Sequence, residues 1–255
     1  MSIPTEISDK TSQEATAEIS GILRRVIESD ENHQRTLSLD NINQICQWLG
    51  MGNTSVVFPL ETTEGKYPLC VKFGYGPTSR HTSMELRNYI TKDEGSPFNV
   101  SRKEIEDNRK VLVQLGVDGL MVPPQRYVEI VPENKGLVLE YNCLLVPDLS
   151  CNGTLTLIDL SEVDGWDAND PLFQVYSDVL KKMDPLDIQF IGHVNTSKPR
   201  MANLESCVKR MLFLVEGDGQ RFMAAGDLNH FKIKYGSCYH CGKAGPILRV
   251  PDPVI

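Results

Sequence analysis

Short runs of β-forming residues, separated by glycine, proline and asparagine, fill much of the chain between residues 49 and 141. They predict strands in the segments 56–58, 69–71, 127–131 and 137–139. Helical patterns, in which apolar residues recur every three or four positions, occur in the segments 11–27, 102–115, 171–183 and 204–216. A β-rich half with one helix, followed by a more helical half, predicts an α+β protein with two lobes.

Charge and hydropathy exclude several classes of protein. The 255 residues include 26 Lys or Arg and 34 Asp or Glu, which gives a formal net charge of −8. This excess of negative charge argues against direct binding to nucleic-acid phosphates. No apolar run approaches the roughly 20 residues of a membrane helix, and the first ten residues do not resemble a signal peptide. We therefore expect a cytoplasmic protein that contacts neither membrane nor nucleic acid.

Two glycines and a lysine indicate a phosphate-binding site. Gly50 and Gly52 are separated by one residue, and a backbone without side chains can approach phosphate oxygens closely. The same spacing also occurs in ordinary tight turns. Lys72 follows Gly52 by twenty residues and lies between apolar residues of a predicted strand. A lysine in that position either extends to solvent or pairs with an anion.

The order of these residues resembles a known family. The run Leu-Gly-x-Gly-x-x-Ser-x-Val, which begins at Leu49, and the later Val-Lys resemble the nucleotide-binding lobe of the protein-kinase fold. The resemblance implies that Gly50, Gly52 and Ser55 belong to a loop over the phosphates of ATP. It also implies that Lys72 binds the α- and β-phosphates.

The same resemblance implies a partner for the lysine and a contact for the adenine. In protein kinases the lysine pairs with a glutamate on a helix, and the predicted helix 102–115 has the corresponding place in the sequence. Glu106 is the expected partner and Glu104 is the competitor. The segment 138–141 would be the last strand and the hinge, so that the backbone at Glu140 and Tyr141 meets the adenine.

A second motif lies after the predicted helix 204–216. Gly-Asp-Leu, with its aspartate at Asp227, runs into a short predicted strand and resembles the catalytic loop of kinase-like phosphotransferases. Asp227 would then accept the proton of the attacking hydroxyl or orient it. The chain departs from the family at Ala225, where a histidine is usual, and at Lys232, where an asparagine that binds magnesium is usual. Asn229 is a nearby candidate ligand.

A third motif supplies the expected metal site. Asp252 follows a predicted strand and begins the sequence Asp-Pro-Val. This sequence resembles the corresponding motif in the short protein kinases of lytic, short-tailed bacteriophages. The resemblance implies that Asp252 is the main anchor of Mg²⁺, with Asn229 as the second candidate. It further implies an N-terminal helical extension (1–48), a kinase-like N-lobe (49–141) and a truncated, mainly helical C-lobe (142–255).

The resemblance implies an ATP-dependent phosphotransferase that acts on serine or threonine hydroxyls of proteins and modifies host proteins in the host cytoplasm. Two other hypotheses stay open. One is a kinase-shaped binding protein, a pseudokinase or an inhibitor of a host protein, which Ala225 and Lys232 favour. The other is an unrelated α+β fold. The glycines, the lysine and both aspartates favour the enzyme.

A pair of cysteines forms a possible half of a zinc site. Cys238 and Cys241 have Cys-x-x-Cys spacing between two short predicted strands, 233–235 and 247–250. A second pair is missing from the sequence, although Cys207 or His230 could supply a further ligand. We expect a hairpin turn that holds no metal.

Overall fold

The structure is a computed structural model that describes residues 6–29, 37–51, 55–61, 68–77, 84–87, 102–131, 133–134, 137–138, 140–163, 165–191, 197–237 and 244–248. It is a mixed α+β protein that divides into two compact units. Unit 1 comprises Met1–Ile90 and Pro123–Thr154, and unit 2 comprises Thr91–Val122 and Leu155–Ile255. None of the described helices has the length and apolarity needed to cross a bilayer.

The helices confirm three of the four predicted segments. In chain order they are α1 (Asp9–Ser29), α2 (Leu39–Ile45), α3 (Arg102–Leu115), α4 (Pro171–Met183) and α5 (Arg200–Met211), with a 3₁₀ turn at Leu160–Glu162. The strands are β1 (Gly50–Met51), β2 (Ser55–Leu60), β3 (Leu69–Pro77), β4 (Met84–Arg87), β5 (Leu120–Met121), β6 (Arg126–Ile130), β7 (Glu133–Asn134), β8 (Leu137–Val138), β9 (Tyr141–Pro147), β10 (Thr156–Asp159), β11 (Ile188–Phe190), β12 (Leu212–Gly217), β13 (Gln220–Ala225), β14 (Phe231–Ile233), β15 (Tyr235–Ser237) and β16 (Ala244–Pro246).

Unit 1 is an antiparallel sheet covered on one face by α1 and α2. The strand order is β1-β2-β3-β9-β6, and β4 pairs with the end of β3. The apolar stripe of α1 packs with alternate residues of the strands, because side chains of a strand point to opposite faces in turn. The shared core includes Ile19, Leu23, Phe58, Val71 and Phe73. The N-terminal helix is therefore part of this unit and not a separate extension.

The last strand of this sheet lies later in the chain than the sequence predicts. Leu137 and Val138 pair with β7 in a small hairpin, whereas β9 begins at Tyr141 and pairs with both β3 and β6. The prediction that 138–141 ends the sheet is wrong. Tyr141, Cys143 and Leu145 alternate into the core, and this alternation gives the strand its place in the sheet.

Unit 2 contains a second sheet, with the strand order β10-β12-β13-β5. The sequence predicts a helix through residue 216, but α5 ends at Met211 and the chain continues as the β12–β13 hairpin. Its two turn residues, Asp218 and Gly219, both have positive φ (51° and 72°), as a type I′ turn requires. The part of unit 2 that the structure describes beyond residue 154 has two α-helices and seven strands, so it is not mainly helical.

The N-terminus of α4 is held by a charged network. Asp170 is the N-cap and accepts hydrogen bonds from the Leu172 amide (2.9 Å), the Trp166 indole (3.2 Å) and Arg221 (2.7 Å). The bonds from Arg221 and Leu172 lower the pKa of Asp170 to about 2. Because the folded state has the lower pKa, the ionised form of Asp170 stabilises the protein above pH 4 and loses this effect as the pH falls towards 2.

We expect Asp170→Ala to lower the free energy of unfolding by about 1–2 kcal/mol, since it removes the cap and the Arg221 bond together. Asp170→Asn keeps a good cap and should lose only the smaller, charged part. Urea unfolding at pH 7 and pH 3, followed by tryptophan fluorescence, measures both. The difference between wild type and Asp170→Asn should shrink at pH 3; an unchanged difference would contradict the role of the charge.

Candidate functional site

Lys72 lies in the middle of the sheet of unit 1, on β3. Its neighbours across the ladder are Val57 on β2 and Leu144 on β9. Val71 and Phe73 point into the core under α1, so Lys72 points to the opposite face. The lysine is half-buried there. The Lys72 side chain therefore lies on the face away from α1, next to Val57 and Leu144.

The glycine motif lies at the edge of the same sheet. Gly50 belongs to β1 and is opposite Val57, which is also a neighbour of Lys72. Gly50 is exposed, whereas Ser55, the first residue of β2, is buried. Gly52 lies outside the described residues. Gly50 on β1 and Lys72 on β3 thus lie on either side of Val57 on β2.

The expected hinge residues lie at the start of β9. Glu140 precedes β9 and is exposed, and Tyr141 is the first residue of β9. The Tyr141 ring packs edge-to-face on Phe73, with ring centroids 6.3 Å apart. These residues start the strand beside β3, so they do not occupy the end at which a hinge would follow.

The segment that does follow β9 is organised around a buried carboxylate. Asp148 is 6% exposed and accepts hydrogen bonds from the amides of Ser150 and Asn152, both at 2.9 Å. Cys151 and Asn152 have positive φ values of 48° and 59°, which are uncommon for residues other than glycine. Local polar residues thus shape the end of unit 1. The Asp-x-Ser-x-Asn spacing is the sequence signal that could have located this turn.

Asp227 lies in a loop, residues 226–230, that joins β13 to β14. The backbone of this loop is held from several elements of unit 2. The Gly226 amide donates to the Met211 carbonyl of α5 (2.8 Å), and the Ile191 amide donates to the His230 carbonyl (2.9 Å). A side chain at residue 226 would meet the Phe213 ring at 2.3 Å, so this close approach requires glycine. The loop is therefore fixed at both ends.

Two partly exposed side chains of the loop flank two buried ones. Asp227 and His230 are about a quarter exposed, and His230 Nε2 lies 3.7 Å from Asp227 Oδ2. Leu228 and Asn229 are each 2% exposed. Asn229 Oδ1 makes no hydrogen bond in the part of the chain that the structure describes. The loop thus offers an accessible carboxylate next to a buried amide oxygen.

Lys232 and Glu104 form an ion pair in unit 2. The distance from Lys232 Nζ to Glu104 Oε1 is 3.1 Å, and both side chains are half-buried. Glu104 is the competitor of Glu106 for Lys72 in the resemblance to protein kinases. Its partner here is the lysine at the position where the kinase family has asparagine. The pair between Lys72 and Glu106 stays a prediction.

Sequence reasoning missed Asn108, which is 1% exposed on α3. Its Nδ2 donates to the carbonyls of Leu228 (2.8 Å) and Phe231 (2.7 Å). The available signal was a polar residue three positions after Ile105 and four before Leu112, within the apolar stripe of the helix. Asn108 therefore connects α3 to the loop of Asp227.

The possible zinc ligands are only partly described. Cys207 Sγ lies 3.8 Å from the His230 carbonyl, and burial raises the pKa of Cys207 to about 12, so the thiol stays protonated. Cys238, Cys241 and the expected metal anchor Asp252 lie outside the described residues. The strands that flank the cysteines are β15 and β16. β15 begins two residues later than the predicted strand 233–235, and β16 begins three residues before the predicted strand 247–250. The described residues contain no group of three or more His, Cys, Asp or Glu arranged to bind a metal.

Comparison with known proteins finds no match to this chain, either among models of protein families or among curated proteins.

Proposed function

We propose that the chain is an ATP-dependent phosphotransferase that acts on serine or threonine hydroxyls of proteins, with the two-lobed arrangement of a protein kinase. The proposed acceptor is a host protein, as in the phage kinases that the sequence resembles, and the proposed location is the host cytoplasm. Asp227 is the proposed base, and Lys72 is the proposed phosphate-binding residue.

The observation that carries the proposal is the fixed loop around Asp227. A general base must be reachable by the substrate hydroxyl and must be held in one orientation. The Asp227 carboxylate is partly exposed, while the loop backbone is hydrogen-bonded to α5, to Ile191 and to Asn108. An aspartate that served only as a turn residue would not need such support from three distant segments.

Unit 1 supports the nucleotide part of the proposal. Gly50 at the sheet edge and Lys72, two strands away, together receive the phosphates of ATP in this proposal, with Gly52 and Ser55 in the same loop. The strand β9, which pairs with β3, ends at Pro147. We therefore propose that the residues after β9, and not Glu140 and Tyr141, contact the adenine.

The proposed metal site holds one magnesium ion. Mg²⁺ prefers oxygen ligands, and the buried Oδ1 of Asn229 is such an oxygen without a hydrogen bond in the described residues. Asn229 and Asp252 are the proposed ligands. A bound Mg²⁺ would neutralise charge on the phosphates. Lys232 places a positive charge near this loop, which disfavours a second metal ion.

The ion pair of Lys232 supports a second candidate, a kinase-shaped binding protein. An ammonium group paired with Glu104 replaces the asparagine oxygen of the family, and Ala225 is completely buried where a histidine is usual. Such a protein would bind a host protein without transferring phosphate.

Two measurements distinguish these candidates. For the enzyme, Mg²⁺ and ATP at 100 times the dissociation constant should stabilise the protein by about 2.7 kcal/mol. Radiolabel from γ-labelled ATP should then appear on an added protein and be lost in Asp252→Asn. Stabilisation without transfer, at several choices of divalent metal, would favour the binding protein. If ATP and Mg²⁺ neither stabilise the protein nor lead to phosphate transfer, the kinase-like assignment is contradicted.

A further inference from the structure

Asn108 is a polar side chain on the buried side of a helix. It is 1% exposed, as are Ile105, Val111 and Leu112 on the same side of α3. Burying an amide that has no hydrogen-bond partner destabilises the folded state. Asn108 therefore needs hydrogen-bond partners at this position. An apolar residue could be buried on the same side of the helix without any such partner.

The interaction that compensates this burial is with the Asp227 loop. Both hydrogens of Nδ2 are used, at 2.8 Å from the Leu228 carbonyl and 2.7 Å from the Phe231 carbonyl. These two acceptors enclose Asn229 and His230. The Oδ1 of Asn108 makes no hydrogen bond in the described part of the chain, so the side chain acts here as a donor.

A second contact joins the same two segments. Glu104 lies one turn before Asn108 on α3 and pairs with Lys232, one residue after Phe231. The helix thus holds both the carbonyls of the loop and the strand that follows it. The opposite ends of the loop are held by Met211 and Ile191. With Asn108 removed, the carbonyls of Leu228 and Phe231 would lose this donor.

We infer that Asn108 is a positioning residue for Asp227 and Asn229. By holding the carbonyls of Leu228 and Phe231, it fixes the orientation of the Asn229 side chain, which lies between them. It also fixes the orientation of the Asp227 side chain, which directly precedes Leu228. Asn108 itself touches no reacting atom in this role. The inference rests on the proposed function for its effect on the rate, but the restraint on the loop is independent of catalysis.

The test compares Asn108→Leu with Val111→Ala in the full chain. Leucine has a similar size but donates no hydrogen bond. Val111→Ala shortens a side chain of equal burial on the same helix and removes no hydrogen bond to the loop. Amide hydrogen exchange is measured at Gly226 and Ile191, relative to amides of β12. Turnover and the KM for ATP are measured with the added protein substrate.

For Asn108→Leu we expect exchange at Gly226 and Ile191 to rise about tenfold more than at β12, because the loop that these two amides hold loses the two hydrogen bonds from Asn108. The turnover rate should fall up to about 10²-fold, since misplacing a catalytic group by 1 Å costs this much. The KM for ATP should stay within about twofold. Val111→Ala should change exchange evenly across unit 2 and leave the turnover of the folded protein unchanged.

Equal effects of the two variants on exchange and turnover would overturn the inference, since Asn108 would then be a core residue like any other. If the wild-type protein transfers no phosphate, the proposed function fails, and the exchange at Gly226 and Ile191 alone decides the role of Asn108. Should Asn108→Leu not fold, Asn108→Ser removes the same two donors with a smaller side chain, and the same measurements apply.

Discussion

Replacing Asp227 by asparagine is expected to lower the rate of phosphate transfer about 10²–10⁴-fold, the usual cost of losing an acid–base group. The amide has nearly the same size as the carboxylate but cannot accept the hydroxyl proton. The loop is held mainly through its backbone, so its geometry should persist. Affinity for ATP should change little. Single-turnover transfer and ATP titration measure the two quantities separately.

Asp218→Asn is the matched control for this prediction. It makes the same chemical change in unit 2, but at an exposed turn whose φ of 51° asparagine readily adopts. Its transfer rate should equal that of the wild type. A wild-type rate in Asp227→Asn would show that this carboxylate is not the base.

Replacing Phe73 by alanine is expected to lower the free energy of unfolding by about 3–5 kcal/mol, a large share of the roughly 5–15 kcal/mol typical of a folded domain. Phe73 is 1% exposed. Its ring contacts Phe58 and Tyr141 edge-on, with centroids 6.4 Å and 6.3 Å away. The substitution removes this contact and leaves a cavity beneath α1. Urea unfolding followed by circular dichroism measures the loss.

Phe173→Ala in unit 2 provides the control for Phe73→Ala. Phe173 also contacts two aromatic rings, those of Trp166 and Tyr176, but it is only half-buried. The same truncation should therefore cost less there, because less apolar surface is removed from the interior. An equal or greater loss from Phe173→Ala would contradict the assignment of Phe73 to the centre of the unit 1 core.

The two candidate functions differ in what Lys232 does. If the chain is an enzyme, the pair with Glu104 holds the ammonium group so that the metal site near Asn229 can still form. If it is a binding protein, the same pair replaces that site. Transfer of phosphate by the wild-type protein distinguishes the two, since both are compatible with the positions of Lys72 and Asp227.

Local patterns predicted the helices α1, α3 and α4 and the strands β2 and β3. Their apolar periodicity is continuous, and each has a clear end, such as Gly116 after α3, with a φ of 55°, or the cap Asp170 before α4. The sequence pattern places the end of α5 five residues too late, because the apolar spacing continues into β12. The Asp218-Gly219 turn was the signal that would have corrected it, since this pair favours a two-residue hairpin.

The sequence by itself determined the α+β class and the positions of Lys72 on a strand and Asp227 on a loop, because periodicity and turn residues act over a few positions. Tertiary structure alone decided that Asn108 meets carbonyls 120 and 123 residues away, and that Glu104 meets Lys232. A pattern of apolar residues shows which side of a helix is buried, but not what it is buried against. The partner of a buried polar group is chosen by the packing of distant segments.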